Sequence, residues 1–258
     1  MADYELNWAD ETAFFRLTRP AQRNAITRSI LDGIEEVCEG LDAGRARAVI
    51  FTGEGEKAFS SGTDLAESAE LGAEGSLAKT RRARGLFMRL HRSHWTSVAA
   101  LNGLAYGGGL ELAMGCTFRV AAPGVRLGLP EIKLGVLPCY GGTQLLPTIV
   151  GRARALDLLL TGRPVEPEEA LRIGLIDRVA ADPETLLDDT RAFLGEILGK
   201  SQFAIDRIRR SVDAAMSDPT DAGLAIEEEA FLETSRSEDA MEGVTAFFEK
   251  RAPKWKHK

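Results

Sequence analysis

The chain has 258 residues, of which 44% are hydrophobic and 28% charged, and a formal net charge of −7. This composition is typical of a globular protein with a sizeable core, and the acidic balance argues against an unspecific binder of nucleic acid. No apolar run approaches the roughly 18 residues of a membrane span, and the acidic start MADYELNWAD lacks the pattern of a secretory or mitochondrial address. Three widely spaced cysteines indicate reduced thiols, so we expect a cytoplasmic protein.

The first hundred residues alternate short apolar runs with helical patterns. The predicted elements are a strand over 11–17, a helix that starts at 26 and ends at Gly44, a strand over 47–52, a basic amphipathic helix over 80–94 and a strand over 98–101. Asp64 and Glu67 have capping-box spacing, which predicts a helix that starts at Asp64. Gly62 then supplies a sharp turn, and Thr63 presents its N–H at the helix mouth. Residues 68–80 are rich in Ala, Gly and Glu, and we expect them to be mobile.

A glycine run marks the centre of the chain, in NGLAYGGGLELAMGC at 102–116. Gly107, Gly108 and Gly109 lead into good helix-forming sequence that contains Glu111. Glycines permit unusual backbone dihedrals and a close approach to the main chain. The first N–H groups of a helix have no intrahelical partner, and the helix dipole favours negative charge there. The stretch predicts either a backbone anion site or tight helix–strand packing.

The second half becomes helical. Strands are predicted over 118–121 and 125–129, and helices from about 143, over 152–161, 167–173, 184–198, 202–216, 220–235 and 238–251. The order of segments suggests a loose strand–strand–helix repeat, which fits a doubly wound sheet poorly.

Two carboxylates stand in apolar sequence, Glu111 behind the glycines and Glu131 after a Leu-Pro turn. An ionised carboxylate there is costly unless it is partnered or functional. Each alone is more often a paired structural residue. Together with the two glycine-flanked helix starts, they suggest an oxyanion hole served by an acid–base pair, provided that the four segments converge.

Four motifs, KAFSSGTDL, NGLAYGGGLELAMGC, LPEIKLGVLP and YGGTQLLPTIVG, resemble in order and spacing the signature blocks of the crotonase (enoyl-CoA hydratase/isomerase) superfamily. The resemblance extends from about residue 11 to 252. It implies an α/β fold, a right-handed spiral of ββα repeats over 1–195, with a C-terminal helical region over 196–258 that serves oligomerisation. It also implies a homotrimer or a dimer of trimers.

The resemblance implies hydration of a 2-enoyl-CoA thioester, with no metal and no cofactor beyond the coenzyme A of the substrate. The N–H groups of Thr63 and Gly108 would hold the thioester oxygen and stabilise the enolate. Glu111 would orient and deprotonate water, and Glu131 would exchange a proton with C2. Because closely coupled acids titrate as a pair, the division of these roles stays open.

The resemblance also implies a set of substrate-binding positions. Those for CoA and the acyl group are Arg23, Ala25, Ser61, Asp64, Leu65, Gly107, Cys139 and Tyr140, with Phe231 and Lys250 usually supplied by a neighbouring subunit. Arg19 and Arg23 flank the position of Ala25, where the family holds the adenine and phosphates. The planar donor fork of Arg23 suits phosphate, although an exposed arginine is by default solvated.

The sequence departs from the family pattern close to the acyl group. Thr63 replaces a more usual alanine, and Ala66 stands where many hydratases carry a lysine. Cys139 and Tyr140 replace a Gly-Ala or Gly-Gly pair, so we expect a short or unusual acyl chain. Cys139 also admits a nucleophile hypothesis, which is weak because no histidine is in motif with it.

Other functions on the same scaffold stay open at this stage. They are double-bond isomerisation, CoA-thioester hydrolysis and, less favoured, an RNA-binding or inactive relative. Glu111 and Glu131 together favour hydration, because an isomerase needs only one base. His91 and His94 are three residues apart on a predicted helix, but no third ligand is in sight, so a zinc site is not expected.

Overall fold

The structure is a computed structural model that describes residues 3–217, 228, 229, 231, 233 and 236–258. It divides into two compact units, Met1–Ala192 and Phe193–Lys258. The strands are β1 (Tyr4–Ala9), β2 (Thr12–Leu17), β3 (Ala48–Gly53), β4 (Ala58–Ser60), β5 (Thr96–Leu101), β6 (Leu104–Tyr106), β7 (Phe118–Ala121), β8 (Leu127–Gly128) and β9 (Arg178–Val179). The helices are α1 (Arg28–Asp42), α2 (Leu65–His91), α3 (Gly108–Gly115), α4 (Gly142–Val150), α5 (Arg152–Thr161), α6 (Pro167–Arg172), α7 (Leu186–Leu198), α8 (Gln202–Ser217) and α9 (Glu238–Glu249).

Two sheets organise the first unit. The larger has the order β1-β2-β3-β5-β7-β9 and is parallel except for the β1–β2 pair, and the smaller is the parallel sheet β4-β6-β8. Successive strands enter the larger and then the smaller sheet before a helix follows, as in β3-β4-α2 and β5-β6-α3. This confirms the predicted strand–strand–helix repeat and the α/β fold class. Every residue of β3 and β5 is buried, as expected for a parallel sheet covered on both faces.

Helix α3 lies at the centre of the unit, and all eight of its residues are buried. A Cβ on Gly109 would lie 2.4 Å from the backbone oxygen of Ser60, so glycine is required for α3 to pack this closely on β4. Gly107, just before the helix, has φ +53 and ψ −129, which a side chain would strain. The glycine run therefore serves tight packing at the start of α3.

Residues 68–80, for which the sequence predicts mobility and no helix, are part of helix α2. The helix bends at Gly72, with φ 66 and ψ −173. The ammonium group of Lys79 lies 2.7 Å from Glu67 across the bend, and the Ser76 hydroxyl donates to the Ser68 carbonyl at 2.7 Å. These two contacts hold the halves of α2 together.

Other differences concern short elements. Strands β1, β4, β6 and β9 are present in the structure but were not predicted from the sequence. Of the strand predicted over 125–129, only the two residues of β8 are in a strand. Helix α1 follows its predicted apolar stripe, with Thr27 accepting from the Ile30 N–H as N-cap. The helix predicted over 220–235 falls mostly outside the described residues.

The second unit contains α8, α9 and the last residues of the chain. The Asp239 carboxylate accepts the N–H groups of Lys256 and His257 at 2.6 and 2.9 Å, and the Trp255 indole donates to the Gly199 carbonyl. A role of this unit in oligomerisation stays a prediction. In the described part of the chain, no helix combines the length and the apolar character needed to cross a membrane.

Candidate active site

Two helix starts face each other at the centre of the first unit. Gly62, with φ +102, turns the chain so that a Cβ at this position would lie 3.1 Å from the nitrogen of Gly108. A Cβ on Gly108 would in turn lie 3.4 Å from the nitrogen of Thr63. Neither N–H has an acceptor among the described residues. Gly108 is the first residue of α3. In the bridge between Ile26 and Thr63, the hydrogen bonds are made by the Gly62 carbonyl and the Asp64 N–H and not by the Thr63 N–H. The two N–H groups therefore lie close together without acceptors in the described part of the chain, and their role as an oxyanion hole stays a prediction.

Glu111 lies one turn inside α3 with only 2% of its surface exposed. One carboxylate oxygen accepts the N–H groups of Tyr140 and Gly142, at 2.8 and 2.7 Å. Burial raises the pKa of Glu111 to about 7; the N–H of Gly142 opposes this shift, and the charge of Glu131 adds to it. A carboxyl group with this pKa can accept and return a proton near neutral pH.

Glu131 stands in the first turn of the 3-10 helix Pro130–Leu134. Its Oε1 approaches the glycine turn so closely that a Cβ on Gly107 would lie 2.9 Å away. Its Oε2 is buried and has no hydrogen-bond partner among the described residues. Burial raises the pKa of Glu131. Burial of a carboxylate oxygen without a hydrogen-bond partner costs free energy, which indicates that this group binds a ligand or takes up a proton.

These groups share one cavity of about 390 Å³, near the lower end of the range for small-molecule sites. Its lining comprises Ser61, Gly62, Thr63, Leu65, Ser68, Ser76, Thr80, Gly107, Gly108, Glu111, Pro130, Glu131, Leu134, Val136, Leu137, Cys139 and Tyr140. The structure therefore brings together both predicted glutamates, both predicted N–H donors and half of the predicted substrate contacts.

Tyr140 and Cys139 close one side of the cavity. The hydroxyl groups of Tyr140 and Thr63 share a hydrogen bond of 2.7 Å, and burial raises the pKa of Tyr140 to about 12, so the phenol is neutral. Burial and the charge of Glu111 raise the pKa of the Cys139 thiol. A raised pKa disfavours the thiolate, which weighs against the nucleophile hypothesis.

Five predicted CoA contacts lie outside the cavity lining, and three of them, Arg23, Ala25 and Asp64, belong to the first unit. The Asp64 carboxylate caps α2 through the Glu67 N–H and pairs with Arg19 at 2.7 Å, so structural partners occupy both of its oxygens. Arg19 also donates to the carbonyl of Ala25, which commits this guanidinium to the fold. Arg23 has a left-handed backbone, and its carbonyl accepts the Ser61 N–H.

Phe231 and Lys250 belong to the second unit and are exposed there. Their contact with CoA stays a prediction. In the described part of the chain, no group of three His, Cys, Asp or Glu residues is arranged to hold a metal ion.

Sequence reasoning missed the wall that α2 contributes, namely Ser68, Ser76 and Thr80. These residues lie in the segment 68–80, which was predicted to be mobile and was therefore not considered part of the site. Two glycines, Gly72 and Gly75, were the available signal, because a glycine between helical runs marks a possible bend. The apolar residues of the cavity mouth after Glu131 were also missed, since their sequence has no period.

Comparison with known proteins identifies relatives that match this chain over most of its length. A family model described as enoyl-CoA hydratase/isomerase matches residues 10–258. A crotonyl-CoA hydratase of Syntrophomonas wolfei is 36% identical over 94% of this chain and 93% of its own length, and a short-chain-enoyl-CoA hydratase of Clostridium acetobutylicum is 34% identical over 93% and 92%. The crystal structure of an enoyl-CoA hydratase from Bacillus anthracis superimposes with a TM-score of 0.95 at 31% identity, covering 99% of this chain and 100% of that one.

Proposed function

The chain belongs to the enoyl-CoA hydratase/isomerase family, and on this premise we propose that it adds water across the 2,3 double bond of a 2-enoyl-CoA thioester. The product is the 3-hydroxyacyl-CoA. The observation that carries the proposal is the second carboxyl group: Glu131 presents a buried, unpartnered oxygen in the same cavity as Glu111. Addition of water needs both a base for the water and a proton at C2.

The N–H groups of Thr63 and Gly108 are proposed to hold the thioester oxygen. Attack at C3 turns this oxygen into an enolate, and donors fixed beforehand stabilise that charge without reorganisation. The positive end of the α3 dipole points the same way. The hydroxide part of the water joins C3 while its proton passes to a carboxyl group, and C2 takes a proton in return, so the sum is one added water.

We assign the orientation and deprotonation of water to Glu111, whose pKa of about 7 suits a base at neutral pH. Glu131 exchanges the proton with C2. The charge of Glu131 adds to the raised pKa of Glu111, so the protonation of the base depends on its neighbour. Polarisation and proton transfer come from groups of this chain, so we propose no cofactor beyond the CoA of the substrate.

For substrate binding we propose Ser61, Leu65 and Gly107 along the cavity, with Arg23 and Ala25 beyond it near the adenine and phosphates. Asp64 contributes by fixing α2 and Arg19. Phe231 and Lys250 are proposed to come from a neighbouring subunit of a homotrimer or a dimer of trimers. The free cysteines Cys38, Cys116 and Cys139 fit a reducing compartment, so we propose that the protein is cytoplasmic.

The test is the ultraviolet absorbance of purified protein mixed with crotonyl-CoA, which follows the loss of the conjugated thioester. Rapid loss that Glu111→Ala and Glu131→Ala each abolish supports hydration by paired carboxyl groups. A 3-enoyl-CoA run in parallel tests isomerisation, since conjugation would then appear rather than vanish. Release of free CoA would indicate thioester hydrolysis. Absence of loss with crotonyl-CoA and with longer 2-enoyl-CoA thioesters would overturn the proposal.

A further inference from the structure

Tyr140 stands at the inner end of the cavity. Along the cavity lining, exposure falls from Leu137 and Leu65, at 65% and 62%, to Tyr140 and Glu111, at 3% and 2%. The CoA part of a thioester is large and highly charged, so it stays towards the exposed mouth. The acyl carbons therefore extend towards the buried base, past Glu111.

The Tyr140 ring is held against both oxyanion donors. A Cβ on Gly108 would lie 2.9 Å from Cδ2 of the ring, and the phenol oxygen lies 2.7 Å from the Thr63 hydroxyl. The ring also meets Phe87 edge to face, with centroids 5.7 Å apart. With contacts on these three sides, the ring forms a fixed wall next to the position of the thioester carbonyl.

We propose that Tyr140 determines acyl-chain length, by occupying the space into which carbons beyond the first few would extend. This inference rests on the proposed function, which fixes how the thioester enters. Tyr140→Ala removes roughly seven non-hydrogen atoms from a close-packed site. The space that opens is bounded by Phe87, which is fully buried and apolar, so a longer acyl chain finds a suitable surface there.

The experiment compares kcat/KM for crotonyl-CoA and 2-decenoyl-CoA in the wild type, Tyr140→Ala and Tyr140→Phe. The wild type is expected to favour crotonyl-CoA. Each methylene group of the longer chain that becomes buried raises kcat/KM by about fourfold. Burial of about three methylene groups in the space left by the ring therefore raises the decenoyl-to-crotonyl ratio of kcat/KM in Tyr140→Ala by roughly 60-fold. Tyr140→Phe keeps the ring and loses only the hydroxyl, so its ratio stays within about threefold of wild type.

A binding measurement separates this inference from the proposed reaction. Calorimetric titration with butanoyl-CoA and decanoyl-CoA, which lack the double bond, reports pocket length whether or not hydration occurs. Tyr140→Ala is expected to strengthen decanoyl-CoA binding relative to butanoyl-CoA. If this variant does not fold, Tyr140→Leu retains an apolar side chain and tests the same ratio. Equal losses for both chain lengths, or a wild type that already prefers the longer chain, would overturn the inference.

Discussion

The N–H groups of Thr63 and Gly108 and the carboxyl groups of Glu111 and Glu131 face the same cavity, but they are held in different ways. The two N–H groups belong to the main chain, and their positions depend on glycines that let β4, α3 and the Gly62 turn approach closely. The carboxyl groups are side chains whose protonation depends on burial. The first half of the site is therefore sensitive to shape, and the second is sensitive to charge.

The largest effect is expected from Glu131→Gln, which keeps the shape of the site and removes the proton-exchanging group. We expect kcat to fall by about 10³ or more while CoA-ester affinity stays nearly unchanged. Steady-state kinetics and calorimetry with a saturated acyl-CoA measure the two quantities. Glu168→Gln, on the exposed surface of α6, is the matched control. Retention of most activity by Glu131→Gln would contradict the assigned role of Glu131 in proton exchange with C2.

Gly108→Ala tests the shape-sensitive half. The new methyl group would lie 2.9 Å from the Tyr140 ring, so the ring and the start of α3 are forced apart, and we expect the oxyanion donors to lose their alignment. We expect kcat to fall by up to about 10²–10³, the range for loss of one oxyanion donor, because the N–H is kept but misaligned.

Gly85→Ala is the control for that variant, because a Cβ on Gly85 meets nothing within 4 Å. It should leave kcat unchanged and should not reduce stability. Equal kinetics of the two glycine variants would contradict the assigned role of the Gly108 N–H.

Glu111→Gln should show how much the buried charge of Glu111 lowers the free energy of unfolding. A pKa raised from 4.5 to about 7 means that Glu111 favours the folded state below pH 4.5 and that this contribution is lost as the pH rises to about 7. The amide can still accept the N–H groups of Tyr140 and Gly142. We therefore expect the free energy of unfolding at pH 8 to rise by about 3 kcal/mol, with little change at pH 4. Urea denaturation at both pH values checks this, and equal shifts would contradict it.

The smallest effect on activity is expected from Thr63→Val, which keeps the backbone N–H and loses the hydroxyl. We expect kcat to change by less than about fivefold, because the donor is main chain. The free energy of unfolding should fall by about 1–3 kcal/mol, since the buried Tyr140 hydroxyl loses its partner. Adding Tyr140→Phe removes the second hydroxyl and should restore most of this loss. A large loss of kcat in Thr63→Val would show that the side chain takes part.

Features that local sequence patterns mark could be predicted, and features that depend on very short elements or on distant contacts could not. Glycines before helix starts and carboxylates in apolar sequence are local signals, which pointed to the two helix starts, Glu111 and Glu131. The family resemblance supplied the choice of Thr63 and Gly108 as donors, and the roles of these residues stay predictions. The two short strands β4 and β6 have three residues each, too few for a period. Gly72 marks a possible bend in α2, but the Lys79–Glu67 contact across the bend joins residues twelve positions apart and leaves no periodic pattern in the local sequence.

The most direct test of the account is the pH dependence of kcat/KM for crotonyl-CoA hydration between pH 5 and 9, because kcat/KM reports the pKa values of the substrate-free enzyme. If Glu111 supplies the base, kcat/KM falls as the pH drops, with a midpoint near its pKa of about 7. In Glu131→Gln the residual activity should show this midpoint shifted to lower pH, because the neighbouring charge that raises the pKa of Glu111 is gone. A wild-type profile that is flat over this range, or a midpoint that Glu131→Gln leaves in place, would contradict the paired-carboxyl mechanism.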